Sequence, residues 1–564
     1  MQKPTAVSTA LKKESFYRQL NRDVCDPSRG TGQNTKTANV YAPWDGVTGP
    51  EGVGGAASHF QRFTLPGIAA NCSQLYLIAP KFKKLFRICV FLCPSVVKNP
   101  FLTSSAAYRP QQHFNCRRMK TNQSHSVEKI SRRRFLGAAA VTLAFPTIIP
   151  SSALGLGGTT APSNRITLGM VGCGGMGTAN TRSFLPLSDC RVIAACDVDK
   201  KHLNSLVEIV NKKYQNKDCK AYHDYRDLMA RPDIDAVMLA TPDHWHELVA
   251  VEAARRKKDI YGEKPLARTI KEQQVMVKAV ADAGRIWQTG SWQRSVANFH
   301  KAAEIVRNGL IGTVKRIEVG LPKGYNDAEG RQKDHMKVTE PPPELDYNFW
   351  IGPSQMMPFI AARLHRDWRW NYNTGGGQLM DWVGHHCDIA HWGCDFDNSG
   401  PLEVQGHGVF PPKGGVWDAA KTYRVELKYP GGIEMVIDGG DSKIKNGTKW
   451  IGTDGWVWVN RKGFDASNKE WKDIQQLPEN LRKIKLYQSN NHHQNFLDCV
   501  KSRKPTITPA STAHHSAVPG HLGLISMLLD GRKLKWDAAS ETIVNDEEAT
   551  KMLARPYREP WKLG

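Results

Sequence analysis

From Ile166 the chain alternates short apolar runs with longer stretches of helical period. Leu168, Met170 and Val171 suit a buried strand, and a helix is predicted from about Ala179 to Leu185. There follow a strand over Arg191 to Cys196, a helix from about Lys201 to Tyr214 and the apolar strand Ala236 to Ala240. That strand stops at Thr241-Pro242, because proline has no N–H for the ladder. A helix over Glu247 to Arg256 and a short strand at Asp259 to Tyr261 complete the series. Strands and helices in alternation predict a parallel, doubly wound sheet whose ligand lies at the carboxyl ends of the strands. After Gly284 to Gly290 the alternation ends: a helix near Asn298 to Arg307 precedes strand-like segments at Val314 to Leu321, Leu402 to Phe410, Thr422 to Tyr429, Ile433 to Ile437 and Trp456 to Asn460. Several of these alternate polar and apolar residues, as a sheet with one buried face does.

The turn after the first strand carries candidate chemistry. Gly172, Gly174 and Gly177 fall in the G-x-G-x-x-G spacing, with Gly175 and Met176 inside the turn. Gly172 permits a tight turn, Gly174 lets backbone amides approach a diphosphate, and Gly177 lets the next helix pack on the strand with its positive end toward the phosphates. Twenty residues beyond Gly177, Asp197 ends the second strand, where a carboxylate can accept hydrogen bonds from an adenosine ribose. A carboxylate there favours NAD over NADP, since it repels a 2'-phosphate. Thr241, Pro242, Asp243, His244 and His246 are expected near the cofactor at the end of a later strand. Lys264, at the end of the Asp259 strand and followed by Pro265, stands where nicotinamide and substrate should meet; a solvated surface lysine is the plainer alternative.

A third stretch joins Gly375-Gly376-Gly377 to a predicted helix in which Asp381, His385, Asp388 and Trp392 recur at steps of four, three and four, placing them on one face. A carboxylate one turn before an imidazole can orient it and raise its basicity, as an alcohol-oxidising base requires. Metal binding by Asp381, His385 and His386 is the rival chemistry, but no third convergent helix or His-Glu-x-x-His pattern supports it, and no metal ligands are assigned. Trp368, Arg369 and Trp370 offer either a wall for a sugar or core packing.

Composition changes the picture mainly at the N-terminus. Of the formal +23 on 564 residues, +11 falls in residues 1–118 and +4 in residues 119–153. The basic balance is therefore in part a terminal property, and no zinc-finger, recognition-helix or aromatic RNA-binding pattern accompanies it; nucleic acid is not an expected partner. Residues 1–118 lack sustained periodicity and read as disordered or as an extension ahead of the true start. From Met119 a basic stretch leads to Ser131-Arg132-Arg133-Arg134-Phe135-Leu136, an apolar run from Gly137 to Ile149, and Ser151-Ser152-Ala153. This resembles a twin-arginine export signal over residues 119–153, cleaved after Ala153 and leaving no membrane span. The expected partners thus include the twin-arginine machinery, and the expected location is periplasmic. The seven later cysteines form no C-x-x-C pair and read as buried thiols.

Taken together, the glycine turn, Asp197, Ala240-Thr241-Pro242 with His246, and above all Glu263-Lys264-Pro265 resemble the glucose-fructose oxidoreductase, inositol dehydrogenase and MocA (Gfo/Idh/MocA) family over residues 164 to 564. The resemblance implies an N-terminal Rossmann domain over 164–290 and, over 291–564, an α+β domain with a large, mostly antiparallel sheet that binds substrate and makes subunit contacts in a homo-oligomer. It implies NAD as cofactor, Lys264 as catalytic lysine with Glu263 holding it, Asp381 positioning substrate and His385 as acid/base. The implied substrate is a sugar, cyclitol or sugar derivative undergoing hydride transfer. Because free NAD is not expected outside the cytoplasm, an exported member would carry a retained cofactor. Two alternatives follow: a redox-neutral, NAD-dependent glycoside hydrolase, and an exported sugar-binding protein without turnover.

Overall fold

The computed structural model describes residues 161–325, 336–440, 443–473 and 478–564. The expected extension over 1–118 and the export signal over 119–153 lie outside the described residues. Among the described residues no helix is long and apolar enough to cross a membrane.

The first sheet contains β1 (Ile166–Val171), β2 (Cys190–Cys196), β3 (Lys220–Tyr222), β4 (Ala236–Leu239), β5 (Asp259–Gly262) and β6 (Trp287–Thr289), in the order β3-β2-β1-β4-β5-β6. Every pairing is parallel. Leu168, Met170, Ala236 and Met238 enter the core on one face, while Val171, Val237 and Leu239 enter the core on the other. Alternate residues thus meet helices on both sides, which is why β1 and β4 read as unbroken apolar runs. The covering helices are α1 (Gly175–Phe184), α2 (Lys200–Tyr214), α3 (Tyr225–Met229), α4 (His246–Arg255) and α5 (Ile270–Asp282). The Asp199 side chain caps α2 by accepting from the amides of Lys201 and His202, and Thr269 caps α5 by accepting from Glu272.

After α6 (Ala297–Arg307) the second sheet begins with β7 (Val314–Leu321). Beyond α7 (Tyr347–Ile351), α8 (Gly377–Trp382) and α9 (Asp388–Cys394) come β8 (Glu403–Val409), β9 (Thr422–Tyr429), β10 (Ile433–Gly439), β11 (Gly447–Gly452), β12 (Trp456–Val459) and β13 (Phe464–Ala466). The chain ends with α10 (His492–Ser502), α11 (Ala510–Leu528), β14 (Leu534–Asp537), β15 (Thr542–Ile543) and α12 (Glu547–Lys551). The sheet has nine strands in the order β13-β12-β11-β7-β10-β9-β8-β14-β15, and β7–β10 is its parallel pair. Along β9, Tyr423, Val425, Leu427 and Tyr429 are buried and the residues between them are not. They share a core with Phe299 of α6, Trp392 of α9 and Leu522 of α11. The architecture is α/β followed by a mixed, mostly antiparallel α+β domain, as the sequence pattern and the resemblance imply.

Three features were not anticipated. β11, Gly-Thr-Lys-Trp-Ile-Gly, has too few apolar residues and too many flanking glycines to read as a strand; pairing with β7 and β12 supplies its conformation. The helix expected to run through Asp381 and Trp392 is broken into α8, a five-residue π turn at Val383–Cys387, and α9. Finally, the segment before the glycine-rich stretch crosses back over the first domain. The Lys200 amide donates to Glu344 O (3.0 Å) and the Asp346 amide to Val198 O (3.1 Å), tying this strap to the loop after β2.

Candidate functional site

The glycine turn opens into a cavity of about 800 Å³ between the carboxyl ends of the parallel strands and the second domain. Gly172 has φ of +88°, and a Cβ there would lie 2.6 Å from the Ala240 carbonyl. A Cβ on Gly177 would lie 1.8 Å from Gly172 O. Both positions exclude side chains for reasons internal to the fold. Gly174 and Gly175 differ: the nearest atom to a Cβ on Gly174 is His202 Nδ1 at 3.9 Å, and nothing lies within 4 Å of one on Gly175. Helix α1 begins here with no side-chain cap, so its first amides face the cavity. Met176, 41% exposed, forms part of the wall.

At the end of β2, Asp197 accepts from the Cys173 amide (2.6 Å) and the Asp199 amide (2.9 Å), binding the strand end to the glycine turn. Burial raises its pKa, and those two amides pull it the other way. Thr241 Oγ1 is buried at the cavity wall without a protein partner. An open glycine cradle, a carboxylate at the second strand end and an orphaned hydroxyl fit a dinucleotide.

Lys264, at the carboxyl end of β5, donates to Asp381 Oδ1 (2.9 Å) and Asp381 O (2.6 Å). Arg369 Nε donates to the same Oδ1 at 2.7 Å. Burial alone would raise the Asp381 pKa, but Lys264 and Arg369 outweigh it and hold the carboxyl well below its usual range. Beside this cluster Asp243 is pushed up to about 7 by burial, against the pull of Arg369 and Lys264. Glu263 accepts from Asn180 Nδ2 (2.8 Å), whose oxygen faces His493 Nε2 (3.0 Å). A Cβ on Gly290 would strike the Glu263 carboxylate at 2.7 Å, so that loop is closely fitted.

Lys264, Asp381, Glu263, Asp197, Thr241, Pro242 and the glycine turn therefore share one cavity. His385 is joined to them less directly. It lies buried between Trp292 and Trp382, with ring centroids 6.3 and 5.5 Å away. Its Nδ1 has no partner, so the anticipated hydrogen bond from the imidazole to Asp381 is absent; Asp381 accepts from Lys264 and Arg369 instead. Burial, then the charges of Lys264 and Arg461, depress its pKa, so the imidazole is neutral. Asp388 and Trp392 leave the proposed face altogether. Asp388 pairs with Arg294 (2.8 Å), which also holds Asp397, because the π turn changes the helical phase between Asp381 and Asp388.

His246 also departs from expectation. It sits behind the cavity wall, its ring nitrogens against Thr241 O (2.8 Å) and Pro265 O (2.9 Å), and it ties the turn after β4 to the loop carrying Lys264. His244 is likewise buried against the carbonyls of Trp350 and Thr374. Trp368 and Trp370 both wall the cavity, and Arg369 stacks on Trp368 at 4.4 Å. Arg461 was not legible in advance: in Asn460-Arg461-Lys462-Gly463 it reads as a surface turn. The fold sandwiches it between Trp292 and Trp382 at 4.7 and 4.6 Å, beside His385.

The glycine-turn cavity thus lies between a doubly wound domain of the nucleotide-binding type and a second α+β domain. Residues 166–291 match the NAD-binding Rossmann fold of an oxidoreductase family, and residues 295–563 match the family's C-terminal alpha/beta domain. The chain carries both domains of the Gfo/Idh/MocA oxidoreductase family, whose Rossmann fold takes NAD. It is 30% identical over 145 residues to the myo-inositol 2-dehydrogenase of Thermotoga maritima, 26% of this chain and 42% of that protein. It is 30% identical over 158 residues to a glycosyl hydrolase family 109 protein of a Shewanella species, 25% of this chain and 35% of that one. The chain thus spans less than half the length of these curated relatives. Its fold is similar, with a TM-score of 0.50 at 17% identity over 66% of this chain and 99% of the other, to the WlbA dehydrogenase of Bordetella pertussis solved with NADH and UDP-GlcNAcA.

Proposed function

We propose that the protein is an NAD-dependent oxidoreductase that moves hydride between a CH–OH group of a sugar, cyclitol or sugar derivative and its nicotinamide cofactor. The observation that carries this reading is the Lys264–Asp381–Arg369 cluster on the wall of the cavity into which the glycine turn opens. The amides of the turn at Gly174 to Gly177 would hold the diphosphate, Asp197 the ribose, and Thr241 a further polar group of the nucleotide. Bound NAD supplies the hydride acceptor. Lys264, held by Asp381, donates a hydrogen bond to the substrate oxygen and stabilises the charge that gathers there as the carbon is oxidised. His385, the acid/base that the family resemblance implies, would receive the hydroxyl proton, although its ring lies between Trp292 and Trp382 and not on the cavity lining. Trp368 and Trp370 present apolar faces to the sugar ring.

Residues 119–153 are proposed to direct export of the folded protein, with NAD loaded beforehand and regenerated in place by a second substrate. Similarity to a family 109 glycosyl hydrolase supports a second reading, in which transient oxidation of a sugar carbon acidifies the neighbouring C–H, the glycosidic substituent is eliminated, water adds in its place and the hydride then returns.

The test uses native protein purified without added nucleotide. Denaturation should release about one NAD per chain, identified by mass, and candidate sugars should change its redox state without external cofactor. Product analysis then separates net oxidoreduction from cleavage. Turnover only with added NAD would indicate an ordinary dehydrogenase and count against export. No turnover or redox change with any candidate sugar would favour a binding protein, and Lys264→Ala leaving turnover unchanged would sink the catalytic role of Lys264.

A further inference from the structure

On the wall of the same cavity, three side chains from two domains converge. Asp199 lies at the start of α2, His202 on its first turn, and His365 on the strap from the second domain. Their ligand atoms all lie within 4.8 Å of one another, and this is the group among the described residues whose histidine and acidic side chains meet in this way. Asp199 Oδ1 is occupied by the amides of Lys201 (2.8 Å) and His202 (3.3 Å). Its Oδ2 is 3.8 Å from His202 Nδ1 and 3.8 Å from His365 Nε2, too far for hydrogen bonds. First-row metals bind such atoms at about 2.0–2.2 Å, which in tetrahedral geometry separates ligands by roughly 3.3–3.5 Å. Contraction of the two Asp199–histidine distances by a few tenths of an ångström, and of the His202–His365 separation by up to about 1.5 Å from its limit of 4.8 Å, would make the site.

Two further features favour a cation. His365 has φ of +48°, a strained value for a histidine, yet it turns the ring to within 4.5 Å of that of His202. Asp197 and Asp367 add negative charge nearby, against Lys201.

We propose that Asp199 Oδ2, His202 Nδ1 and His365 Nε2 bind one divalent transition-metal ion of the zinc class, which bolts the strap of the second domain to the nucleotide domain. The site stands beside the glycine turn, since His202 Nδ1 approaches the space over Gly174. A metal here restrains the strap and slows escape of a nucleotide. That consequence rests on the NAD reading above; metal binding itself does not.

Full-length protein purified without a histidine tag, stripped with EDTA and dialysed, is titrated with Zn²⁺ by calorimetry and with Co²⁺ by visible absorption. One equivalent should bind with a dissociation constant at or below about 1 μM, and Co²⁺ should give a low-coordinate absorption band. His202→Gln and His365→Asn should each weaken binding at least about 100-fold; asparagine suits the left-handed backbone at 365. With nucleotide bound, Zn²⁺ should slow its release by about tenfold in the parent and not in the variants. No binding at about 0.1 mM Zn²⁺, or equal affinity in parent and both variants, overturns the site. Metal binding in a protein that takes no nucleotide upholds the site and rejects only the NAD reading.

Discussion

Gly175 and Gly177 lie two residues apart yet answer to different demands. The missing side chain at 177 makes room for Gly172 O, whereas nothing in the protein occupies the space beside 175. Gly177→Ala should therefore disrupt folding. Gly175→Ala should change stability by less than about 1 kcal/mol, because its helix position accepts alanine, yet weaken NAD binding at least about tenfold. Urea unfolding and nucleotide titration of the two variants check this, and equal stability loss in both would overturn it. Asp243 carries a pH dependence. Its folded pKa of about 7 lies above the usual 3.8, so between roughly pH 4 and 7 the folded state keeps a proton that the unfolded chain releases. The contribution of Asp243 to stability then falls as pH rises through that window, by up to roughly 4 kcal/mol. Asp243→Asn should remove this component, read as the difference between parent and variant urea midpoints at pH 5 and pH 8. The glycine turn and Glu263-Lys264-Pro265 were legible because their spacing is local. Arg369 on Asp381 and Arg461 between two tryptophans were not, since tertiary packing alone gives them partners.

At the scale of the element, the π turn at Val383–Cys387 decides what the sequence periodicity could not. An uninterrupted α-helix would put Asp381, His385 and Asp388 on one stripe. The wider turn sends Asp388 to Arg294 and leaves His385 between Trp292 and Trp382. The turn also brings Gly384 against the lysine: a Cβ there would sit 2.9 Å from Lys264 Cβ and 3.4 Å from its Cγ, near the stiff base of the side chain. Gly384→Ala should displace Lys264 from Asp381 and lower kcat at least about tenfold while NAD affinity stays within about threefold. Matched loss of nucleotide affinity and turnover would instead mean that the cavity had collapsed. The same comparison explains the uneven legibility of the elements. Strands buried on both faces and helices with caps declare themselves locally, while β11 becomes a strand through its neighbours.

For the whole molecule, the division near residue 290 is clear along the sequence but less clear in space. Phe496 and Leu497 of α10, both fully buried, enter the core of the first domain with Leu168, Met170, Phe184 and Tyr261. The ring of Phe184 meets Phe496 edge-on at 6.3 Å and Tyr261 at 5.5 Å. The stretch after α10 then continues the contact: the Thr289 amide of β6 donates to Thr508 O (2.9 Å), and Arg503 pairs with Asp259 at the start of β5. The nucleotide half is thus completed by residues more than two hundred positions downstream, a relation no local pattern encodes. Expressed alone, residues 161–291 would leave Phe184 and Tyr261 uncovered and lose roughly 3–6 kcal/mol from the absent Phe496 and Leu497 alone, a large share of a domain's stability. The isolated segment should be protease-sensitive and melt without a cooperative transition. In the full chain, Phe496→Ala should cost about 3–5 kcal/mol although it lies in a helix of the second half, and the loss should be visible as faster exchange of β1 and β4 amides. A stable, cooperatively folding 161–291 fragment would show instead that α10 merely rests on a domain already complete.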